Sequence, residues 1–271
     1  MTEPTLTLVD GRPSNVVPAA NRGLAYGDGV FETIRVLAGE PVLMALHVER
    51  LLAGCARLGI AVAGLADALA VDTETACAAA PESAVMKVIV TRAAGGRGYT
   101  PAPDAGTCRV VTVSAYAPDT KARDDGIDLM LCRTRLAIKP ALAGIKHLGR
   151  LEQVLAAAEL EGAREGLMLD MEGQVVEGTK SNVFRLTDGE LLTPPVDRCG
   201  IAGVMRRYLI DECGAREQGG GLDTFLAASE VFVCNSVFGI YPVRRLGSTS
   251  WPVGDVTREL AARVAREVGT L

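Results

Sequence analysis

A single lysine in the stretch 144–151 (GIKHLGRL) lies among residues that rarely surround an ordinary surface charge. Lys146 is flanked by isoleucine, leucine and glycine, and the chain has only five lysines beside 23 arginines. A lysine amine attacks a carbonyl or moves a proton only when it is uncharged, and apolar surroundings favour that state. We therefore interpret Lys146 as a candidate nucleophile and acid/base, whereas Lys87, Lys121 and Lys139 fit ordinary solvated charges.

The composition of the chain narrows the classes of function. With 271 residues and 48% hydrophobic residues, the chain can bury a full core. Its formal net charge of -5 offers no basic surface, so we expect no nucleic-acid partner. The N-terminus lacks a secretory signal, and the apolar windows are too short to cross a bilayer. We therefore expect no membrane association and a cytoplasmic location.

Cysteine and histidine usage indicates neither disulfides nor a metal site. The seven cysteines are widely spaced and never form a CxxC pair, which favours free buried thiols. His47 and His147 are the two histidines of the chain, too few for a histidine-rich metal centre.

Hydrophobic patterning predicts two domains separated by a polar stretch. The first, 1–118, combines strands at 29–37, 84–91 and 108–116 with amphipathic helices at 46–58 and 65–79. The polar, turn-prone stretch 119–126 is interpreted as the interdomain linker. The second domain, 127–271, mixes strands with helices predicted at 148–161, 204–212 and 256–268.

Two glycine-rich stretches mimic nucleotide motifs without satisfying them. The stretch 173–181 (GQVVEGTKS) has one residue too many between its second glycine and the lysine, and a strand follows it instead of a helix. The stretch 95–98 (GGRG) is followed by Tyr-Thr-Pro, so it is interpreted as a mobile loop.

Several stretches that occur in order along nearly the whole chain carry a family resemblance: 26–33 (YGDGVFET), 47–51 (HVERL), 144–154 (GIKHLGRLEQV), 176–184 (VEGTKSNVF), 200–206 (GIAGVMR) and 234–236 (CNS). With them the chain resembles the fold-type IV pyridoxal-phosphate enzymes, a group that includes branched-chain and D-amino-acid aminotransferases and 4-amino-4-deoxychorismate lyases. The resemblance implies an α+β fold of two domains, the smaller N-terminal and the larger C-terminal with a barrel-like sheet. It also implies a homodimer.

The resemblance assigns roles around pyridoxal 5'-phosphate, which needs an amine for its aldehyde, an acid for its ring nitrogen and donors for its phosphate. Lys146 is implied to be the covalent anchor and catalytic acid/base, and Glu177 the partner of the ring nitrogen. Backbone amides that precede a helix, together with an arginine, suit a phosphate. The residues implied to bind the phosphate are Arg50, Ile201, Ala202, Asn235 and Ser236.

Within that group the loops are most similar to those of 4-amino-4-deoxychorismate lyases, although many of these carry asparagine where this chain has Gly149. The implied reaction converts 4-amino-4-deoxychorismate to 4-aminobenzoate and pyruvate on the route to folate. Its dicarboxylate substrate calls for cationic and hydroxyl groups. The candidate substrate-binding residues are Arg97, Tyr26, Tyr99, Thr33 and Thr179.

The shared motifs leave two alternatives open. A D-amino-acid or branched-chain aminotransferase would use the same lysine, acid and phosphate site. A protein that keeps the fold and binds a small molecule without catalysis is the second alternative.

Overall fold

The computed structural model describes residues 3–269, and within them the chain forms two compact units. The first contains residues 3–117 together with Lys146–Gly149, and the second contains Pro118–Ile145 and residues 150–269. The outer ends of the two predicted domains, residues 1–2 and 270–271, lie outside the described residues.

The first unit consists of one antiparallel sheet and three helices. Its strands are β1 Leu6–Val9, β2 Arg12–Pro13, β3 Gly29–Leu37, β4 Glu40–Pro41, β5 Ser83–Arg92 and β6 Thr107–Ala115. Its helices are α1 Arg22–Tyr26, α2 Met44–Arg57 and α3 Leu65–Ala78. The strand order is β2-β1-β6-β5-β3-β4, so the long strands β3, β5 and β6 form the centre of the sheet.

Alternation along the central strands explains the core of the first unit. In β3, Val30, Ile34 and Val36 are buried on one face, which is the period-two pattern that the sequence shows. Helix α2 packs against β3, and α3 packs against β1 and β6. Glu32 occupies a position on the same buried face of β3, and a carboxylate there needs polar partners.

The second unit is larger and is built on a curled sheet. Its strands are β7 Ile127–Leu131, β8 Glu165–Leu169, β9 Val175–Gly178, β10 Asn182–Thr187, β11 Glu190–Thr193, β12 Arg216–Glu217, β13 Glu230–Asn235, β14 Gly239–Leu246 and β15 Thr249–Ser250. Its helices are α4 Thr120–Asp125, α5 Leu151–Ala158, α6 Val204–Cys213, α7 Leu222–Leu226 and α8 Asp255–Glu267. The sheet runs β12-β11-β10-β13-β14-β7-β8-β9, with β15 paired to β14.

This mixed α+β architecture, with a half-barrel sheet in the second unit, confirms the predicted fold class. The stretch 119–126, interpreted from sequence as a linker, contains the helix α4. The prediction of a helix over 148–161 is wrong at both ends, because α5 spans Leu151–Ala158. Within residues 3–269, no helix has the length and apolarity needed to span a membrane.

Candidate active site

Lys146 lies in an extended segment beside the start of β3, in the first unit. The amide of Phe31 donates to the Lys146 carbonyl at 3.0 Å, and the Leu148 amide donates to the Gly29 carbonyl at 3.0 Å. A Cβ at Gly29 would lie 2.5 Å from the Val90 carbonyl of β5 and 2.8 Å from Leu148 Cδ1, so the close approach of both neighbours requires glycine. The Lys146 amine lies 4.4 Å from the centre of the Phe31 ring. Lys146 is half-buried, as its apolar neighbours in the sequence predict, and its amine lies beside an aromatic ring.

Arg50 belongs to a buried polar cluster that it forms with Glu32 and His47 in the first unit. The Arg50 Nε donates to Glu32 Oε1 at 2.8 Å, and an Arg50 terminal nitrogen forms a second bond to Oε2. His47 Nδ1 lies 2.6 Å from Glu32 Oε2. Glu32 and His47 are almost fully buried, whereas Arg50 is half-buried. Arg50 was predicted from the sequence, whereas Glu32 was not among the predicted site residues. The sequence signal for Glu32 is an acid on the apolar face of β3.

The electrostatics of this cluster favour an ionised Glu32 and a neutral His47. Burial by itself would raise the pKa of Glu32, but the charge of Arg50 and the hydrogen bonds from His47 and Arg50 outweigh it and lower the pKa. Burial lowers the pKa of His47 more strongly than its contact with Glu32 raises it. A neutral His47 that donates from Nδ1 to the Glu32 carboxylate fits both directions.

The lowered pKa of His47 predicts a loss of stability in mild acid. Below about pH 6.5 the unfolded chain protonates His47, whereas the folded protein does so only at lower pH, so the folded state loses stability as pH falls. We expect the free energy of unfolding to decrease from about pH 7.5 to about pH 5.5 in chemical denaturation. The decrease should be smaller in His47→Gln than in His147→Gln. Equal decreases in the two variants would contradict a buried, neutral His47.

Glu177 is the penultimate residue of β9 in the second unit, and two donors hold its carboxylate. Its Oε2 accepts a hydrogen bond from the Ile201 amide at 2.8 Å, and its Oε1 accepts one from Gln153 Nε2 at 3.2 Å. Burial lowers the pKa of the neighbouring Arg150, and the charges of Glu177 and Glu152 oppose that shift. Glu177 is 3% exposed and accepts two hydrogen bonds, so its carboxylate has a fixed position. Arg150 is its basic neighbour. Gln153, which lies in the first turn of α5, seven residues after Lys146, was not among the site residues predicted from the sequence.

In the loop before α6, the amides of Ile201 and Ala202 both donate hydrogen bonds to other parts of the protein. The Ile201 amide is bonded to Glu177, and the Ala202 amide donates to the Gly144 carbonyl at 3.1 Å. The prediction from sequence that these two amides are free to bind a phosphate is therefore wrong. Helix α6 begins at Val204 after Gly203, and the amides of its first turn have no partner within the helix. Those amides are the donors that this loop offers to an anion.

Asn182 fixes the shape of this loop from β10. Its Nδ2 donates to the Ile201 carbonyl at 2.9 Å. A Cβ at Gly203 would lie 1.9 Å from Asn182 Oδ1, so glycine is required where the loop enters α6. Asn182 thus holds the loop through the Ile201 carbonyl and lies close against Gly203.

Asn235, Ser236 and Thr179 lie in the second unit. Asn235 Oδ1 accepts hydrogen bonds from the Val237 and Phe238 amides, both at 2.9 Å, which turns the chain after β13. Ser236 is buried. The buried Thr179 hydroxyl donates to Glu165, an acid that the sequence analysis did not single out.

The remaining candidate residues belong to the first unit. The Tyr26 and Tyr99 rings meet with their centres 5.5 Å apart, and both residues are exposed. Arg97 is exposed and pairs its backbone with Thr100 in a tight turn, at 3.0 Å and 3.1 Å. Thr33 is half-buried and lies two residues from Phe31, on the same face of β3. The first unit thus contains Lys146, Arg50, Arg97, Tyr26, Tyr99 and Thr33, and the second contains Glu177, Ile201, Ala202, Asn235, Ser236 and Thr179.

Comparisons with known proteins agree on one family. The amino-transferase class IV family matches residues 29–246. The chain is 35% identical to the aminodeoxychorismate lyase of Vibrio harveyi over 93% of this chain and 97% of that protein. A crystal structure of 4-amino-4-deoxychorismate lyase from Pseudomonas aeruginosa is 45% identical, with a TM-score of 0.92 over 97% of this chain and 99% of that one.

A third neighbour shows how widely the fold is shared. The structure of a hypothetical aminotransferase from Mycobacterium tuberculosis, in its PLP-bound form, has a TM-score of 0.82 at 21% identity. The match covers 97% of this chain and 98% of that one. At that identity the likeness shows the fold alone. The family match over residues 29–246 and the near full-length lyase relatives together show that this chain belongs to amino-transferase class IV.

Proposed function

We propose that this protein converts 4-amino-4-deoxychorismate to 4-aminobenzoate and pyruvate, with pyridoxal 5'-phosphate as its cofactor. The observation that carries the proposal is the similarity to two lyases of this name, at 35% and 45% identity, along almost the entire chain. The reaction supplies a precursor on the route to folate.

The donor set of the chain suits the cofactor. It includes a lysine amine held by backbone pairing, a buried carboxylate, an arginine fixed by an acid, and the open first turn of α6. When bound, pyridoxal phosphate withdraws electron density from the carbon that bears the substrate nitrogen. In our proposal Lys146 holds the cofactor covalently, and Glu177 keeps the ring nitrogen protonated.

Lys146 is the proposed proton carrier of the reaction. Once the incoming substrate amine has released it from the cofactor, the Lys146 amine would remove the proton from the carbon that bears the substrate nitrogen. The carbon–oxygen bond of the enolpyruvyl ether would then break. The ring becomes aromatic, which makes the elimination favourable, and the released enol takes up a proton to give pyruvate. General acid/base catalysis of this kind requires an amine within hydrogen-bond reach of the substrate. The pairing of the Lys146 segment with β3 fixes the backbone from which that amine reaches.

Arg50 and the start of α6 are the proposed phosphate contacts, and Ile201, Ala202, Asn235 and Ser236 are the other residues proposed to bind the cofactor. A guanidinium makes charge-assisted hydrogen bonds to phosphate, and the amides at a helix start add further donors at the positive end of the helix dipole. Nε and one terminal nitrogen of Arg50 are bonded to the two carboxylate oxygens of Glu32, which fixes the plane of the guanidinium. Glu32 therefore acts as the residue that orients Arg50.

Replacing Glu32 with glutamine should weaken cofactor binding, because the neutral amide no longer holds Arg50 through a charged pair. We expect the Kd for pyridoxal phosphate to rise by about tenfold, the loss of one charge-assisted bond. The measurement is a spectroscopic titration of the apoprotein. Glu49→Gln is the matched control, since this exposed acid lies beside Arg50 on α2. A Kd that stays the same in Glu32→Gln would argue against the role of Arg50.

We also propose that the protein is a homodimer whose interface includes α5. Leu151, Val154 and Leu155 are 75%, 60% and 60% exposed, and their spacing places them on one stripe of the helix. Apolar side chains grouped in this way on the surface are typical of an interaction site. A second copy of the chain is the proposed partner, because most soluble oligomers pair identical surfaces.

A charge placed in this stripe should dissociate the dimer. Leu155→Glu is expected to elute as a monomer in size-exclusion chromatography with light scattering, since an unpaired carboxylate would be buried at the interface. Val71→Glu is the control, because Val71 is 63% exposed on α3 in the first unit. A dimer that persists in Leu155→Glu would place the interface elsewhere.

A cytoplasmic location is part of the same proposal, and the cysteines support it. All seven are free thiols, and six are buried. Burial raises the pKa of Cys55 to about 12 and that of Cys132 to about 11, which keeps both protonated and unreactive. Free thiols are typical of a reducing compartment.

A product assay separates the proposed activity from its alternatives. Purified protein with pyridoxal phosphate and aminodeoxychorismate, but no keto acid, should release 4-aminobenzoate and pyruvate in equal amounts, followed by the fluorescence of 4-aminobenzoate. Turnover only with an amino acid and a keto acid would identify an aminotransferase instead. No turnover with either set would favour a binding protein without catalysis.

A further inference from the structure

Arg22 is a buried arginine that bonds to the loop carrying Arg97. It is 5% exposed and begins α1. Its Nη1 donates to the Gly98 carbonyl and its Nη2 to the Tyr99 carbonyl, both at 3.0 Å. Its Nε donates to Asp28 Oδ2 at 2.8 Å. All three guanidinium nitrogens are therefore bonded, two of them to consecutive backbone carbonyls just after Arg97.

Helix α1, which carries Arg22, packs tightly against β5. Asn21 caps α1 by accepting hydrogen bonds from the Gly23 and Leu24 amides, and its Nδ2 donates to Thr91 Oγ1 at 2.9 Å. A Cβ at Gly23 would lie 2.3 Å from Thr91 Cγ2, so α1 sits directly on the end of β5. Arg22 thus reaches the loop from a fixed position on the sheet.

Asp28 balances the charge of Arg22 and of a second arginine. Arg92 Nε donates to Asp28 Oδ2 at 2.9 Å, while its terminal nitrogens donate to the Leu58 and Gly59 carbonyls. Burial would raise the pKa of Asp28, but hydrogen bonds and charge from Arg92 and Arg22 outweigh burial and lower it. Arg22 and Arg92 share one acid, but only Arg22 is bonded to the loop.

The bonds of Arg22 fix the backbone directly after Arg97. The 97–100 turn is closed by its own two hydrogen bonds, and Arg22 holds the two carbonyls inside that turn. The guanidinium also lies 4.9 Å from the centre of the Tyr26 ring, which in turn contacts Tyr99. One side chain therefore organises Arg97, Tyr26 and Tyr99.

We propose that Arg22 is a positioning residue for the substrate: it holds the 97–100 turn so that Arg97 can bind a carboxylate of the dicarboxylate substrate. This inference rests on the proposed function. Arginine is required because a rigid, planar fork can bond two carbonyls and one carboxylate at once, whereas a lysine ammonium cannot match that geometry.

The test combines kinetics with limited proteolysis of the holoenzyme. Trypsin cuts after arginine, so the rate of cleavage between Arg97 and Gly98 reports the order of the turn independently of activity. In Arg22→Ala we expect that rate and the KM for aminodeoxychorismate each to rise by about tenfold or more. The kcat and the Kd for pyridoxal phosphate should stay within about twofold of wild type, since Arg22 contacts neither Lys146 nor Glu32. Arg22→Lys, which keeps the charge beside Asp28, should show the same direction of change.

Arg92→Ala is the matched control, because it removes the other cation from Asp28 and leaves both loop carbonyls bonded. Its cleavage rate and KM should remain near wild type. Equal changes in Arg22→Ala and Arg92→Ala, an unchanged cleavage rate, or a fall in kcat at constant KM would each overturn the proposal. If the wild-type protein forms no 4-aminobenzoate, the proposed function fails. The cleavage rates then still decide whether Arg22 orders the turn.

Discussion

Replacing Lys146 with alanine should lower the rate of 4-aminobenzoate formation by roughly 10²- to 10⁴-fold, the range of a lost general acid/base. Alanine supplies no amine to hold the cofactor or to carry the proton. The rest of the first unit should be unaffected, since the pairing of this segment with β3 uses the backbone. The measurement is steady-state 4-aminobenzoate fluorescence with saturating cofactor.

Lys121→Ala is the control for Lys146→Ala, because Lys121 is an exposed lysine on α4. It should retain the wild-type rate. A Lys146→Ala variant that folds, binds pyridoxal phosphate and keeps more than about a tenth of the wild-type kcat would contradict a catalytic amine at this position.

Replacing Glu177 with glutamine should lower kcat by roughly 10²- to 10³-fold, the effect of losing one preorganised electrostatic contact. Glutamine has nearly the same shape, and its carbonyl can still accept the bond from the Ile201 amide. It carries no negative charge, so it cannot keep the ring nitrogen of the cofactor protonated. The single-turnover rate of holo Glu177→Gln, compared with wild type, measures this effect.

Glu172→Gln provides the comparison, since Glu172 is an exposed acid just beyond β8 with an ion pair to Arg198. Its single-turnover rate should match wild type. If Glu177→Gln also matched wild type, the charge of Glu177 would have no part in the reaction, and its bonds to Gln153 and Ile201 would be structural alone.

Regular patterns in the sequence predict the elements that position the site. The alternation over 29–37 predicts β3, and the three- and four-residue spacing of apolar residues predicts the helix that carries His47 and Arg50. Helix α5 starts later than predicted because the Leu148 amide bonds to Gly29 in the first unit. A backbone contact between segments so distant along the chain leaves no local signal.

Short or irregular elements escape sequence patterns for physical reasons. Helix α1 has five residues and includes a glycine, so its hold on β5 comes from Asn21 and Thr91 and not from helical periodicity. Strand β14 carries Pro242 and two adjacent arginines, which break the apolar pattern of a strand. The missed α1 is the element that carries Arg22.

The sequence predicts which residues belong to the candidate site better than it predicts the hydrogen-bond partners of those residues. An acid at 177 and a helix after 203 could be predicted, but the bond from the Ile201 amide to Glu177 depends on the approach of two separate segments. The hydroxyl of Thr179 is likewise bonded to Glu165, fourteen residues earlier on β8. Tertiary contacts of this kind decide which donors remain for a ligand.

The central claim is that the amine of Lys146 bears the cofactor. The most direct measurement is borohydride reduction of the holoenzyme, followed by peptide mass spectrometry of the trapped adduct. We predict one modified site, at Lys146. Lys87 is the informative alternative, since its amine lies 5.3 Å from the centre of the same Phe31 ring. An adduct on Lys87, or no adduct at all, would contradict the account.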